Sequence, residues 1–293
     1  MSTCFGWEVR STLPLEYLRE GAGEPLEVTA PGPEGPAAAD ELLLEWHATE
    51  ERPLEAKLYA GEGSYRLWIA DGGWFSADPA GPRIDAPADG GLRTEERLWG
   101  LPALLCFLAR GDLPLHAAAV ETEKGAVLLA APRTYGKSTM AAGFHRSGRR
   151  VLTEDTACVR LGPEPAIVPG PAMLRLRHDV AAALELPRVR RLGEDPDRVR
   201  FALEEPGDST PVPLRAIVLL DAGEGGSEIE PVERADALRD LWALSFRLPV
   251  EEDVARSFAG VTDVAATVPV LRLRRRLALD SLDEHVETIL AHV

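Results

Sequence analysis

The chain has 293 residues, 45% of them hydrophobic and 27% charged, and its formal net charge at pH 7 is −16. This length and apolar content predict one large or two small folded domains and exclude a mainly disordered chain. The negative charge disfavours a general binder of nucleic acid or of anionic membranes. No apolar run approaches the roughly 18 residues that a membrane-spanning helix needs.

Cysteine usage and the N-terminal residues bear on the cellular compartment. The three cysteines, Cys4, Cys106 and Cys158, have neither metal-ligand spacing nor the density of a disulfide framework. The N-terminal residues lack the basic and apolar regions of a secretory signal. We therefore expect a cytoplasmic protein, and the sequence leaves its oligomeric state open, a homo-oligomer included.

Residues 1–110 are predicted to form a β-rich module that ends in a helix. The stretches Val28–Ala39 and Pro79–Gly91 are rich in proline and glycine and are predicted loops. Leucines recur at helical spacing over Leu92–Arg110, which predicts one helix with Pro102 as a point where it can kink. The predicted strands are Leu42–His47, Leu54–Ala60, Tyr65–Ala70 and Gly73–Phe75.

Residues 111–293 are predicted to form a second, α/β domain, because strand-like apolar runs alternate there with helical segments. The predicted strands are Ala126–Ala130, Arg150–Leu152, Ala157–Leu161, Ile217–Asp221 and Val268–Leu273. The predicted helices are Lys137–Ser147, His178–Leu186, Arg234–Phe246 and Leu282–Val293.

The most informative segment of the second domain is an apolar strand followed by a turn and by Gly-Lys-Ser-Thr at the start of a helix. It fits the phosphate-loop pattern of glycine, four residues and Gly-Lys-Ser/Thr, with Ala131 in place of the first glycine. Backbone N–H groups at such a helix start bind phosphate, Lys137 adds a positive charge, and the Ser138 hydroxyl is a ligand for Mg²⁺. The predicted nucleotide-binding residues are Ala131, Arg133, Thr134, Tyr135, Gly136, Lys137, Ser138 and Thr139.

Polar residues flank the strands on either side of this loop. His116 precedes the loop's strand, and the pair Glu154-Asp155 follows the next strand along the chain. If those strands are parallel, the acidic pair and the loop lie at the same edge of the sheet. Carboxylates there can hold Mg²⁺ or accept a proton from an attacking hydroxyl. The alternatives are a strand-end turn for the acidic pair and a packed or capping role for His116.

Arginines near the C-terminus offer further positive charge. In the run Arg272 to Arg276, Arg272 and Arg274 alternate with Leu271 and Leu273, which is typical of a solvated edge strand. Arg247 and Arg256 are candidate phosphate clamps on charge alone.

Three segments together resemble the HPr kinase/phosphorylase family of P-loop protein kinases. They are Leu115–Val120, the phosphate loop and Val151–Asp155, and the resemblance extends over residues 112–293. The segments look closest to the smaller HPr-kinase-like proteins of bacterial gene clusters, including lasso-peptide clusters. The resemblance implies a P-loop kinase domain of the HPr kinase/PEP carboxykinase type. This chain departs from the family pattern at two positions. Ala131 stands where a glycine is usual, and Glu154 stands where an aspartate is usual.

The resemblance implies an ATP- and Mg²⁺-dependent kinase that transfers the γ-phosphate to a Ser or Thr hydroxyl of a peptide or small protein. It implies that Asp155, with Glu154, acts as base or metal ligand, that Ser138 joins Asp155 in holding the metal, and that His116 supports the acid. Two alternatives stay open. One is a nucleotide-binding regulator without transfer activity, and the other is a peptide-binding module with a vestigial phosphate loop.

Overall fold

The computed structural model describes residues 1–49, 55–131 and 134–293 and is a mixed α/β structure with several sheets. The strands of the first part are β1 Ser2–Cys4, β2 Trp7–Ser11, β3 Arg19–Glu20, β4 Glu24–Thr29, β5 Glu41–Trp46, β6 Ala56–Ala60, β7 Tyr65–Ile69, β8 Gly73–Asp78 and β9 Arg83–Asp85. Among the described residues these strands form a nine-stranded sheet in the order β3-β1-β2-β4-β9-β8-β7-β6-β5.

The later strands build two more sheets. They are β10 Leu113–Leu115, β11 Ala117–Thr122, β12 Gly125–Ala130, β13 Arg150–Thr153, β14 Ala157–Arg160, β15 Ala166–Val168, β16 Met173–Leu176, β17 Val189–Glu194, β18 Val199–Leu203, β19 Val212–Ala222, β20 Glu228–Pro231 and β21 Val270–Arg275. The central sheet has the order β20-β21-β19-β12-β11-β13, and β10-β14-β15 joins it along the first residues of β19. A small separate sheet has the order β16-β18-β17.

The helices are α1 Leu92–Leu98, α2 Leu101–Arg110, α3 Lys137–Arg146, α4 His178–Ala183, α5 Arg234–Leu244, α6 Glu251–Thr267 and α7 Leu282–His292, with a 3₁₀ turn at Leu279–Ser281. Helices α3 and α7 pack on one face of the central sheet, and α5 and α6 on the other. Strand β12 lies between these layers, which is why its residues are apolar throughout. No helix in the described part of the chain has the length and apolar character needed to cross a membrane.

Several predicted elements of the first part differ from the structure. Strands β1 to β4 were not predicted, because they are short and carry charged residues at their exposed positions. The predicted loops at Val28–Ala39 and Pro79–Gly91 were partly wrong, since they contain the end of β4 and all of β9. The predicted strand over Leu54–Ala60 begins at Ala56 among the described residues, which leave out Leu54.

The single helix predicted over Leu92–Arg110 is two helices, α1 and α2, separated at Trp99 and Gly100. Pro102 lies in the first turn of α2. A backbone N–H has no helical partner in that turn, so proline is tolerated there and introduces no kink. Gly111 then ends α2 in the left-handed conformation.

The strand predicted over Val268–Leu273 is β21, but the edge position predicted for the run Arg272 to Arg276 was wrong. Strand β21 lies between β19, with which it runs parallel, and β20, with which it runs antiparallel. Strand β20 contains Glu230, and its charged, exposed residues gave no apolar strand pattern. Helix α6 was also missed, because glycine, threonine and valine interrupt its helical signal.

Arg19 connects the first nine strands to the central sheet. Its side chain is buried, with Nε donating to the carbonyl of Gly170 at 2.7 Å. Nη2 donates to the carbonyls of Val151 at 2.8 Å and Leu152 at 3.0 Å, and Nη1 donates to that of Pro206. One guanidinium therefore satisfies four buried or partly buried carbonyl groups, three of them around β13.

The division into two domains at residue 110 stays a prediction.

We expect Arg19→Met to lower the free energy of unfolding by about 3 kcal/mol, because it leaves several carbonyl acceptors without donors. Urea unfolding measures this loss. The matched control is Arg10→Met on β2, whose guanidinium is exposed. Equal stability of the two variants would show that Arg19 does not hold the sheets together.

Candidate functional site

The candidate site lies at one edge of the central sheet, where four chain segments meet. Strands β12, β13 and β21 run in the same direction, and β11 runs opposite to them between β12 and β13. The residues after β12 and β13, the start of β11 and the end of β21 therefore share an edge. This places Ala131, Glu154, His116 and Arg275 at the same edge.

The loop after β12 ends at Gly136, which has φ of +75° and precedes the first residue of α3. Glycine adopts this left-handed conformation without strain, and a Cβ here would lie 3.0 Å from Nη2 of Arg275. The first N–H groups of α3 have no partner within the helix and form its positive end. The loop thus delivers a helix start suited to an anion.

The predicted loop residues divide into two groups. Thr134, Gly136, Lys137, Ser138 and Thr139 line an open cleft. The side chains of Ala131 and Tyr135 instead pack against the hydrophobic core beneath the loop. Arg133 lies outside the described residues, so its predicted contact stays a prediction.

Lys137 is held by two of the predicted catalytic residues. Its Nζ lies 2.8 Å from Nε2 of His116 and 3.9 Å from Oδ1 of Asp155. Nδ1 of His116 lies 3.6 Å from the same Asp155 oxygen. Because the ammonium can only donate, Nε2 of His116 accepts and its Nδ1 carries the proton that faces Asp155.

The pKa values agree with this assignment of the protons. Burial, together with the charge of Lys137, lowers the pKa of His116, which keeps the imidazole neutral. Burial also lowers the pKa of Lys137, although Asp155 opposes this shift. The backbone N–H of His116 donates to the carbonyl of Leu244 at 2.9 Å, which fixes the histidine against the end of α5.

Glu154 and Asp155 have different surroundings. Glu154 is buried, accepts a hydrogen bond from Oγ of Ser138, and accepts another from Nε of Arg175 at 3.1 Å. Asp155 has a side chain that is 42% exposed, and its Oδ2 lies 3.5 Å from Nη2 of Arg175. Asp155 is therefore the carboxylate that a bound molecule can reach, while Glu154 links the start of α3 to β16.

Three neighbouring side chains that stabilise its negative charge determine the ionisation of Asp155. Burial by itself would raise the pKa of Asp155, but His116, Arg175 and Lys137 together lower it to about 2. The pKa of Arg175 is raised in turn, because Glu154 and Asp155 outweigh the opposing effect of its burial. A carboxylate with so low a pKa is a weak base near neutral pH. It is better suited to accepting a hydrogen bond or holding a cation than to keeping a proton.

The cleft around these residues has a volume of about 1280 Å³ and extends from the loop to α1 and the small sheet. Arginines from both regions line it, among them Arg93, Arg198 and Arg200. Arg200 donates from Nε to Glu96 at 2.7 Å. Among the described residues, no group of three or more His, Cys, Asp or Glu side chains has a metal-binding arrangement.

Four arginines of the site were not predicted from the sequence: Arg175, Arg198, Arg200 and Arg275. Each comes from a strand, or from the turn before it, that is distant in sequence from the loop, so only the sheet topology brings them together. The family resemblance over residues 112–293 covers all four positions but assigns a role to none of them.

Two arginines considered as phosphate clamps are elsewhere. The guanidinium of Arg247 lies 3.6 Å above the ring of Trp242. Arg256 donates from Nη1 to the carbonyl of Leu108 at 2.7 Å. Neither arginine lines the cleft that contains Lys137.

Comparisons with known proteins give only weak structural likeness. No family model matches the chain, and no curated protein sequence matches it. The HPr(Ser) kinase/phosphatase of Coxiella burnetii is similar to it in structure over 61% of this chain and 94% of that protein, with a TM-score of 0.35 and 8% sequence identity.

We expect Arg175→Met to raise the pKa of Asp155, because the variant removes one of the positively charged side chains that lower it. Since the folded-state pKa lies below the ordinary value of about 3.9, Asp155 stabilises the fold above that pH. This contribution is lost as the pH falls towards 2, and the variant loses less of it. Carbon-13 NMR titration of the Asp155 carboxyl measures the shift. Arg177→Met is the control, since Arg177 pairs with Asp179, and equal Asp155 titrations in both variants would contradict this electrostatic account.

Proposed function

We propose that this chain is a kinase of the P-loop type that binds Mg²⁺-ATP at residues 131–139 and transfers the γ-phosphate to a Ser or Thr hydroxyl of a peptide or small protein. The observation that carries the proposal is the contact of Lys137, at the start of α3, with Asp155 and His116 across the sheet edge. A phosphate-binding lysine, a reachable carboxylate and an open cleft are the parts that phosphoryl transfer requires.

The nucleotide phosphates would bind at the start of α3. The N–H groups there would donate to phosphate oxygens, and Lys137 would exchange His116 and Asp155 for the β- and γ-phosphates. The buried ammonium would keep an opposite charge nearby throughout this exchange. Thr134 and Thr139 line the cleft on either side of Lys137 and offer hydroxyl groups.

The oxygen ligands near Ser138 suit Mg²⁺. The Ser138 hydroxyl and the carboxylates of Glu154 and Asp155 are hard ligands, and Mg²⁺ commonly binds one or two carboxylates together with substrate phosphates. When bound, the ion would neutralise charge on the transferring phosphoryl group. Ser138 would release its hydrogen bond to Glu154 to reach the ion.

Asp155 would orient the acceptor hydroxyl. With its pKa lowered to about 2, the carboxylate is ionised and accepts the hydroxyl hydrogen bond. As the acceptor oxygen bonds to the γ-phosphorus, the bond from that phosphorus to the bridging oxygen would break and ADP would leave. The hydroxyl proton would then pass through Asp155 to solvent. His116 would hold Asp155 in place through its Nδ1–H. Because the transition state of phosphoryl transfer is loose, orienting the hydroxyl is the main task of the base. Positioning and charge neutralisation would then supply most of the rate.

A peptide acceptor is supported by the edge of the first sheet. Strand β5 is the last strand of that sheet among the described residues, and its Trp46 lines the same cleft as Lys137. An extended peptide can add to such an edge through backbone hydrogen bonds. The same edge supports the alternative of a peptide-binding module, for which nucleotide binding would be absent.

A nucleotide-binding regulator without transfer activity is the second candidate. The observation that favours it is the pairing of Arg175 with both Glu154 and Asp155, which neutralises part of the charge that Mg²⁺ needs. Binding of nucleotide without turnover on any peptide encoded beside this chain would favour the regulator.

We expect Lys137→Ala to weaken ATP binding by roughly 100-fold, because the variant removes the ammonium from the phosphate site. Isothermal titration calorimetry in the presence of Mg²⁺ measures the affinity. The control is Lys124→Ala, since Lys124 is exposed in the turn before β12. Unchanged affinity in both variants would refute the phosphate-loop assignment.

We expect Asp155→Asn to keep ATP binding and to lower phosphoryl transfer by roughly 100-fold, because an amide orients the acceptor hydroxyl poorly. Transfer of labelled phosphate to candidate peptides measures the rate. Asp283→Asn is the control, since Asp283 is exposed on α7 and pairs with Arg146. A full transfer rate in Asp155→Asn would show that this carboxylate has a structural role only.

A further inference from the structure

Arg275, the last residue of β21, lies against the phosphate loop. Its Nη2 donates to the carbonyl of Tyr135 at 2.7 Å, one residue before Gly136. It also lies beside Gly136, where an added Cβ would be 3.0 Å from the same nitrogen. The side chain lines the cleft together with Lys137 and Ser138.

Arg275 differs from the other arginines of its run in having no carboxylate partner. Arg272 pairs with Asp240 at 2.8 Å, Arg274 with Glu230 at 3.2 Å, and Arg276 with Asp280 at 3.0 Å. Arg275 forms no such pair with any described residue. Yet it is the most buried of the four, at 4% exposure.

The buried guanidinium is also incompletely hydrogen-bonded. Within the part of the chain that the structure describes, its Nε is buried and has no partner. A buried cation without a counter-charge is costly, and burial lowers the pKa of Arg275 to about 10. An anion that binds in the cleft beside Arg275 would supply the missing counter-charge and stabilise the buried guanidinium.

We propose that Arg275 binds the phosphate chain of the nucleotide and selects a triphosphate over a monophosphate. This inference rests on the proposed function and extends it, because neither the loop pattern nor the family resemblance assigns a role to the end of β21. One N–H of the guanidinium holds the Tyr135 carbonyl, and no described residue accepts a hydrogen bond from Nε, so further donors can serve phosphate oxygens. Arginine suits this task, since its planar fork matches the spacing of phosphate oxygens.

The position of Arg275 explains how two cations would share the phosphate charge. Lys137 begins α3 on one side of Gly136, and Arg275 holds the loop on the other side. Each extra phosphate adds negative charge between them. The contribution of Arg275 therefore grows from the monophosphate to the triphosphate.

The test compares the affinities of ATP, ADP and AMP in the full chain by isothermal titration calorimetry. We expect Arg275→Met to weaken ATP binding by about 10-fold to 100-fold, the range for a hydrogen bond to a charged group, and to leave AMP binding nearly unchanged. Arg275→Lys should recover part of the ATP affinity, because it restores the charge without the fork. The matched control is Arg274→Met, since the neighbouring Arg274 is half exposed and pairs with Glu230.

Equal losses for ATP and AMP in Arg275→Met would overturn the proposal, because they would show that Arg275 only supports the loop. Unchanged ATP affinity would overturn it as well. If circular dichroism shows that Arg275→Met does not fold, Arg275→Lys becomes the deciding variant. ATP binding as tight in Arg275→Lys as in the wild type would contradict a contact that needs the planar guanidinium. A wild type that binds ATP through Lys137 with no dependence on Arg275 refutes this inference alone, whereas a wild type that binds no nucleotide refutes the proposed function too.

Discussion

A buried ammonium group governs the arrangement of the candidate site. Lys137 is 8% exposed, and an isolated charge at that depth is unfavourable unless opposite charge or hydrogen-bond acceptors surround it. His116 accepts a hydrogen bond from the ammonium, and Asp155 supplies the negative charge. Arg175 then balances Asp155 and Glu154, and Glu154 binds the hydroxyl of Ser138. Each group in this chain of contacts compensates the burial of the one before it, so the start of α3 is fixed by charge as well as by packing.

The sheet brings these charges together from distant parts of the chain. Strands β12 and β13 run in the same direction, so the loop after β12 and the acidic pair after β13 lie at the same edge. Strand β11 runs between them in the opposite direction, so it begins at that edge and places His116 there. Strand β21 contributes Arg275 to the same edge from the far end of the sequence. Apolar side chains in β12 and the helices on both faces hold the strands in register. The core therefore determines the geometry, and the polar residues at the edge determine the chemistry.

The sequence predicted the local parts of this site better than its long-range parts. The apolar run of β12 and the Gly-Lys-Ser-Thr start of α3 are contiguous, so their strand, turn and helix could be predicted from spacing alone. Arg175 and Arg275 could not be predicted as neighbours of Lys137, because their positions depend on which strands pair. The run around Arg275 was interpreted as a solvated edge since β20, a short strand of mostly charged, exposed residues, gave no signal of its own. Burial of one arginine among four is a property of the sheet order and is invisible in the local pattern.

The most direct test of this account is a crystal structure of the chain with Mg²⁺ and a non-hydrolysable ATP analogue. The account predicts that Nζ of Lys137 leaves His116 and lies about 3 Å from a phosphate oxygen, within hydrogen-bond distance. It also predicts that Asp155 stays open towards the cleft beside the terminal phosphate. An analogue bound away from the loop, or a Lys137 that keeps its contact with His116 while the analogue is bound, would contradict the central claim.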